Sequence, residues 1–409
     1  MQNDIVHPSR GLGRMRIAVV GAGIGGLATA IGLQKCGHSV SVHEQAAALT
    51  EVGAGIVLAP NSQRLLAGAF GIVVSGTVRP SALHLRRWQD GSTISRQLLG
   101  AEASARFRAD YVTLHRADLI DALAAGVQPG TLHLAQRTIA VRQDDDGVEV
   151  DFENGESLRA DLVVAADGNR SLVAAAVGVP TVPRASGYAA YRGLASPDLI
   201  EELGDDHTAW LGPDRHFVHY PVSGGRFLNF VAIVPSPRDE PESWSSAGDI
   251  GDARAHFADW DPRVRRILAC TDSVGLWGLY DRPVHDVLHA GRTVLVGDAA
   301  HPVLPFFAQG ASMALEDAAV LSSLLGRATP ENLADRLAAY SAARVPRVRK
   351  VQQVSYRNAT MFHLADGPEQ QARDARLGTP GAGDPLRDND WLYGYDARDE
   401  AAVALARNS

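Results

Sequence analysis

A glycine triplet at fixed spacing, Gly21-Ala22-Gly23-Ile24-Gly25-Gly26, follows directly on the β-branched run Arg16-Ile17-Ala18-Val19-Val20. The run suits a buried parallel strand. Gly21 then permits a tight turn, Gly23 a close backbone approach to a pyrophosphate, and Gly26 close helix–strand packing, with Ile24 and Gly25 completing the loop. A helix over Leu27 to Gln34 points its N-terminal N–H groups at the phosphates. Gly37 ends it, and Ser39–His43 reads as a second strand. Glu44, followed by Gln45, sits where an acid accepts hydrogen bonds from a ribose. A signal peptide is the competing reading, because Arg10, Arg14 and Arg16 precede the uncharged stretch from Ile17 to Leu33. Glycines interrupt that stretch and no small-residue cleavage pattern clearly follows. A dinucleotide site is therefore expected.

Two later segments repeat the strand-into-turn pattern. Leu162-Val163-Val164-Ala165-Ala166 runs into Asp167-Gly168, with Arg170-Ser171 opening the next helix. Thr293-Val294-Leu295-Val296 runs into Gly297-Asp298-Ala299-Ala300-His301-Pro302, with a helix from about Gly310-Ala311. An aspartate directly after a glycine can reach the hydroxyls of an extended cofactor. The N–H groups of Gly310, Ala311 and Ser312 favour negative charge nearby. Each segment alone is a common turn; their order and separation give them weight.

Composition narrows the class. A chain of 409 residues, 45% hydrophobic and 21% charged, suits two joined globular domains. A net charge of −8 argues against nucleic acid as a partner. Cys36 and Cys270 are the only cysteines, too few for a thiolate metal site, so no metal is expected and a reducing, cytoplasmic setting is. No uninterrupted apolar stretch reaches membrane-spanning length. The expected organisation is a loose leader over 1–15, a cofactor domain over 16–180 and 286–330, a substrate domain over 181–285, and helices over 331–409. The fold class is α/β, a Rossmann-like (GxGxxG) domain interrupted by a β-sheet-rich domain, with two long C-terminal helices. A helical stretch is also expected near Asp252 to Leu268.

The chain resembles the class A flavoprotein aromatic hydroxylases, the fold group of p-hydroxybenzoate hydroxylase, nearest the salicylate, 6-hydroxynicotinate and 3-hydroxybenzoate hydroxylase branch. The resemblance rests on the three segments above, on Gly53-Ala54-Gly55-Ile56 and His115-Arg116-Ala117-Asp118-Leu119, and on the stretch from His301-Pro302 through Gln309-Gly310-Ala311. Late matches are Tyr340 with Arg344, Pro346-Arg347-Val348, and Trp391-Leu392-Tyr393-Gly394-Tyr395-Asp396. It implies FAD as cofactor, NADH or NADPH as a transient co-substrate, and O₂ as the source of a hydroxyl placed on a small, electron-rich aromatic acid. It also implies a role for Gly55 and Arg116 near the cofactor. A homodimer remains an open assembly.

Candidate substrate residues lie in Asp214-Arg215-His216-Phe217-Val218-His219-Tyr220-Pro221-Val222. As a strand, this puts His216, Val218, Tyr220 and Val222 on one face, with Phe217 and His219 on the other. His216 and Tyr220 are then about 13 Å apart at Cα, and the resemblance implies such a His–Tyr pair in the branch. His216 suits polarising or deprotonating a ring hydroxyl, and Tyr220 suits bonding a carboxylate or hydroxyl. His301 is a further catalytic or flavin-positioning candidate. Phe306 and Phe307 suit a pocket wall, and Arg192 a carboxylate. The implied substrates are salicylate or 6-hydroxynicotinate with loss of CO₂, then 3-hydroxybenzoate without it, then a larger phenol. A flavin halogenase would need a catalytic lysine and a Trp-x-Trp segment; the lysines are Lys35 and Lys350, in helices, and no Trp-x-Trp occurs. A flavin oxidase or dehydrogenase is the reading from another class.

Overall fold

In the computed structural model, which describes residues 14–49, 55–179, 182–236, 246–379 and 388–407, the strands Arg16–Val20, Leu162–Ala165 and Thr293–Leu295 lie side by side and parallel. Val20 pairs with Ala165 and Ala165 with Leu295, so three turns distant in sequence leave the sheet at the same edge. The six-stranded order is His289–Ala290, Thr293–Leu295, Leu162–Ala165, Arg16–Val20, Ser39–His43, Leu132–His133. Most of the expected leader, and Gly53 and Ala54, lie outside the described residues. Met15 does not belong to a leader: it is buried, and its N–H donates to His38 Nδ1 at 3.3 Å.

Gly21 needs its glycine twice over. Its φ is +100°, and a Cβ there would lie 2.4 Å from the Ala166 carbonyl oxygen. At Gly26 a Cβ would lie 2.0 Å from the Gly21 oxygen, which is the close helix–strand approach expected from the spacing. A Cβ at Gly23 would meet nothing within 4 Å, leaving that side of the loop open.

A second, eight-stranded sheet has the order Ala247–Gly248, Val274–Asp281, Arg184–Ala195, Phe227–Pro235, Arg215–Val222, His207–Gly212, Ala82–Arg87, Thr93–Leu98. Its last two strands come from inside the 16–180 stretch, so the boundary between the two layers is not a single point in the chain. Leu83 and Leu85 alternate toward one face and pair with His207 and Ala209, which gives them a partly buried surface to join. One face of this sheet carries Trp210, Phe217, Phe230, Phe257 and Ile267 as a separate core. The helical stretch covering it is broken in two, Ile250–His256 and Pro262–Ala269, because Asp261 caps the second helix by accepting from the Arg263 N–H. After Ser171 only a short 3₁₀ turn forms, Val173–Val177, ended by Gly178 at φ +71°. Beyond residue 332 the described residues form one long helix, Leu333–Phe362, then the shorter Pro368–Gly378, Asp390–Tyr393 and Ala397–Arg407.

The long helix is tied to the Gly310–Leu325 helix by fully buried charges. Asp317 Oδ1 accepts from Arg344 Nε at 2.7 Å, and Oδ2 accepts from the Gly297 N–H at 2.8 Å and from His301 Nε2 at 2.6 Å. Glu316 accepts from Arg344 Nη1 at 2.9 Å, Arg347 Nη2 at 2.8 Å and Asn61 Nδ2 at 2.8 Å. Arg282 donates to the carbonyls of Asp298 and Ala299, and Tyr340 to that of Leu295. The turn after the third strand is thus fixed from behind. Burial pushes both carboxyls up, but His301 and Arg344 on Asp317, and Arg347 and Arg344 on Glu316, outweigh it and hold both below the ordinary range.

Two predictions follow from this frame. Gly21→Ala should cost about 1–3 kcal/mol from its φ alone, read as a lowered urea midpoint together with loss of bound flavin. Arg344→Met strips a buried ion pair of one partner and should cost about 3–5 kcal/mol at neutral pH. The two carboxyls are depressed in the folded state, so their contribution is complete above the unfolded pKa near 4. It is lost as pH falls through the folded values. The variant should therefore show a smaller acid loss of stability than the parent in unfolding curves between pH 6 and 3.

Candidate active site

The three turns and the inner face of the eight-stranded sheet enclose a continuous cavity of about 940 Å³. At one end it is lined by Gly23, Ile24, Gly25, Gly168, Gly297 and Asp298, and along its side by Gly55, Arg116, Gly310 and Ala311. Gly21 and Gly26 stand behind the loop and shape it. Glu44 also stands behind: its carboxylate accepts the N–H groups of Ala22 at 2.8 Å and Ala46 at 2.9 Å, clamping the loop to the second strand. Gln45 is exposed and off the lining. Asp167 is off the lining too, accepting from Ser171 Oγ at 2.5 Å and the Val173 N–H at 3.3 Å while burial raises its pKa.

Asp298 projects into the cavity and is exposed there. The protein packed around it raises its pKa by desolvation, against the pull of His301, Arg116 and Arg282. Arg116, in the first turn of the Arg116–Gly126 helix, is drawn down to about 10 by burial, with Asp298 opposing. It stays a cation at neutral pH. The Gly310–Leu325 helix has no side-chain cap, and its first two residues, Gly310 and Ala311, line the cavity. An open Gly23, a cation at Arg116, a carboxylate at Asp298 and an uncapped helix start together fit an extended dinucleotide with an electron-rich ring at its far end. Gly55 donates its N–H to Asn229 Oδ1 at 2.6 Å, and a Cβ there would lie 2.5 Å from Asn229 Cγ. That contact joins the cofactor side to the second sheet.

The other end of the cavity is the sheet face itself. Arg192 pairs with Val231, Val231 with Val218, and Val218 with Ala209, giving a row that crosses four strands. His216 lies two residues before Val218 and Tyr220 two after, and all three line the cavity. Phe217 and His219 face the opposite core. From strand spacing and rise, Arg192 is roughly 12 Å from each of His216 and Tyr220 at Cα. The guanidinium of Arg192 sits 4.0 Å over the Trp277 ring. Burial lowers its pKa to about 9, with Tyr220 pulling upward. Burial also raises the Tyr220 hydroxyl, with Arg192 and Asn229 opposing, so it remains a donor.

His216 is held far below the ordinary histidine range, by burial first and by His363 second. Its Nδ1 lies 2.7 Å from His363 Nε2. Phe306 packs against it at 5.6 Å between ring centroids, and Phe307 stacks on Trp391 at 6.2 Å. His301 does not line the cavity; it is buried against Asp317 behind the Gly297–Ala300 turn. Sequence reasoning passed over the wall residues Trp277, His207, Tyr111 and Gln97, and two residues that stand behind the wall, His363 against His216 and Asn229 against Gly55. Gln97 and Tyr111 come from the stretch read as cofactor domain.

Residues 14–355 match the FAD binding domain family. The chain is 40% identical over 388 residues to the 3-amino-4-hydroxybenzoate 2-monooxygenase of Streptomyces cremeus, covering 94% of this chain and 96% of that one. It is 35% identical to the salicylate hydroxylase of Pseudomonas putida (96% and 95% covered) and 33% identical to the 6-hydroxynicotinate 3-monooxygenase of Bordetella bronchiseptica (96% and 98%). Among solved structures, Klebsiella pneumoniae HpxO complexed with FAD and uric acid matches with a TM-score of 0.80 at 28% identity, covering 96% of this chain and 97% of that one. A salicylate hydroxylase substrate complex matches with a TM-score of 0.80 at 26% identity, covering 96% and 98%. The chain therefore belongs to the FAD-binding-domain family and is an FAD-dependent monooxygenase of the aromatic hydroxylase type, with NAD(P)H as its reductant.

Proposed function

We propose that this enzyme hydroxylates a small benzoate that bears a ring hydroxyl, of the 3-amino-4-hydroxybenzoate kind, and keeps the carboxylate. The observation that carries this reading is the placing of Arg192 roughly 12 Å across the sheet from His216 and Tyr220, with Val218 and Val231 as the floor between. A carboxylate and a hydroxyl at opposite ends of one ring suit that spacing better than the adjacent pair of salicylate. The relatives of 38–40% identity support it, since position 2 of 3-amino-4-hydroxybenzoate neighbours the carboxylated carbon rather than being it.

FAD, reduced by NAD(P)H, supplies activated oxygen. Arg192 holds the substrate carboxylate in a charge-assisted bond. His216 meets the ring oxygen and keeps electron density on the ring. Tyr220, protonated throughout, donates a second bond. Phe306, Phe307 and Trp391 keep bulk water out. Arg116, Asp298, Gly310 and Ala311 hold the cofactor, Glu44 and Asp167 support its loops, and His301 is a positioning residue acting through Asp317. Two free cysteines suit a cytoplasmic setting.

The test is NADH and NADPH oxidation by the FAD-loaded enzyme with 3-amino-4-hydroxybenzoate, 6-hydroxynicotinate, 3-hydroxybenzoate and salicylate, with product analysis. Stimulation by the first, with one oxygen gained and no CO₂ released, is the expected outcome. CO₂ release with salicylate or 6-hydroxynicotinate moves the assignment to decarboxylative hydroxylation, and silence toward all four sinks the class. Arg192→Met should cost about 2 kcal/mol or more of substrate binding, roughly a thirty-fold rise in KM, with flavin content unchanged.

A further inference from the structure

Behind His216, off the cavity lining, stands a histidine that the reaction outlined above leaves idle. His363 is the C-cap of the Leu333–Phe362 helix and is buried. Its Nε2 lies 2.7 Å from His216 Nδ1, with the ring centroids 5.0 Å apart. Its carbonyl accepts the N–H of Asp214 at 3.1 Å, two residues before His216. The helix end is therefore tied to the substrate strand by one main-chain bond and one imidazole bond.

The surroundings of the pair are mostly apolar. Phe306 lies 5.6 Å from both rings, Phe362 5.4 Å from His216, and Tyr188 4.8 Å from His363. Leu211 and Ile233, the register partners of His216, add no charge. Titratable neighbours include Tyr188, raised by burial first and by Asp214 second, and Arg357 and Arg376 line the same cavity. Burial keeps both imidazoles neutral, drawing His363 down to about 4.

Two neutral imidazoles sharing one hydrogen bond must divide their protons, one donating and the other accepting. Among the described residues, His363 Nδ1 is buried without a hydrogen-bond partner. A proton on that nitrogen would be an orphaned buried donor, whereas a proton on Nε2 is used in the bond to His216. His216 then carries its own proton on Nε2, the nitrogen left for the cavity.

We propose that His363 is a positioning residue that fixes His216 as the Nε2–H tautomer, so that the site takes the substrate's ring oxygen as a phenolate that accepts a hydrogen bond. The phenol proton leaves to water as the substrate binds, and His216 gains none. The chemical identity of the ligand rests on the substrate reading above; the tautomer does not.

The first arm of the test is ¹⁵N-histidine NMR of the FAD-loaded enzyme without substrate. A single His216 tautomer protonated at Nε2 is expected, becoming a mixture in His363→Leu; an Nδ1–H tautomer in the parent overturns the assignment. The second arm binds 3-amino-4-hydroxybenzoate in weak buffer with a pH indicator. Release of a proton near pH 7 is expected, together with an ultraviolet phenolate band; binding with neither also overturns it. In steady state, His363→Leu should raise KM by up to about 100-fold with a smaller change in kcat. Its acid limb should shift to higher pH, because the bound ring oxygen loses the fixed Nε2–H donor that stabilises it as a phenolate. His363→Gln, whose amide can donate to Nδ1, should recover much of both. Unchanged KM and pH profile in the leucine variant count against the role. If that variant fails to fold, the parent spectrum and the glutamine variant still decide. If no acid stimulates the parent, the substrate reading fails while the tautomer stands or falls on the spectrum.

Discussion

Two carboxylates and two guanidiniums, sealed from water between the Gly310–Leu325 and Leu333–Phe362 helices, set where the third turn sits. Exchanging such a cluster for apolar residues is often neutral or stabilising, so stability alone is a weak reason for it. Geometry is the stronger one. Asp317 has directional bonds to Arg344, His301 and the Gly297 N–H, which leave the Gly297–Ala300 turn little freedom to slide. Arg347 carries the same frame outward to the carbonyls of Trp391 and Leu392, and so to the aromatic cover of the cavity.

The substrate end depends on a different constraint, the removal of bulk water. Burial takes charge away from His216, His363 and His207 and keeps Tyr220 and Tyr111 protonated. The cations that survive along this wall are guanidiniums, because arginine starts high enough to lose several pH units and stay charged. Arg192 reaches about 9 and Arg116 about 10. A lysine, starting about two units lower, would be near neutral in the same place. Permanent positive charge beside neutral imidazoles suits an anionic ring held without competing proton acceptors.

The parts of the fold that follow local rules were legible in the chain. The glycine spacing located the first strand, turn and helix, and period-two alternation assigned the faces of Arg215–Val222. What remained hidden was set by distant contacts. Nothing local to Ala82–Leu98 says that it pairs with a strand more than a hundred residues later. Nothing near His301 says that its ring turns to Asp317 and away from the cavity. Glu44 shows the mixture: its position at the end of the second strand was legible, but the two backbone N–H groups of its own loop that its carboxylate accepts were not. The partnership of His216 with His363 required the end of a thirty-residue helix to land beside a strand, which no spacing rule encodes.

The interleaving of the second sheet has a consequence for how such enzymes diversify. Its strands come from 82–98 and from 184–281, on either side of two strands of the cofactor layer, and Asn229 within it holds the Gly55 loop. Exchanging the 184–281 segment alone between relatives would carry only part of the ring-facing wall and would leave Leu83, Leu85 and Gln97 behind. New specificity in this architecture therefore has to accumulate by scattered point changes on a retained backbone, not by swapping a module.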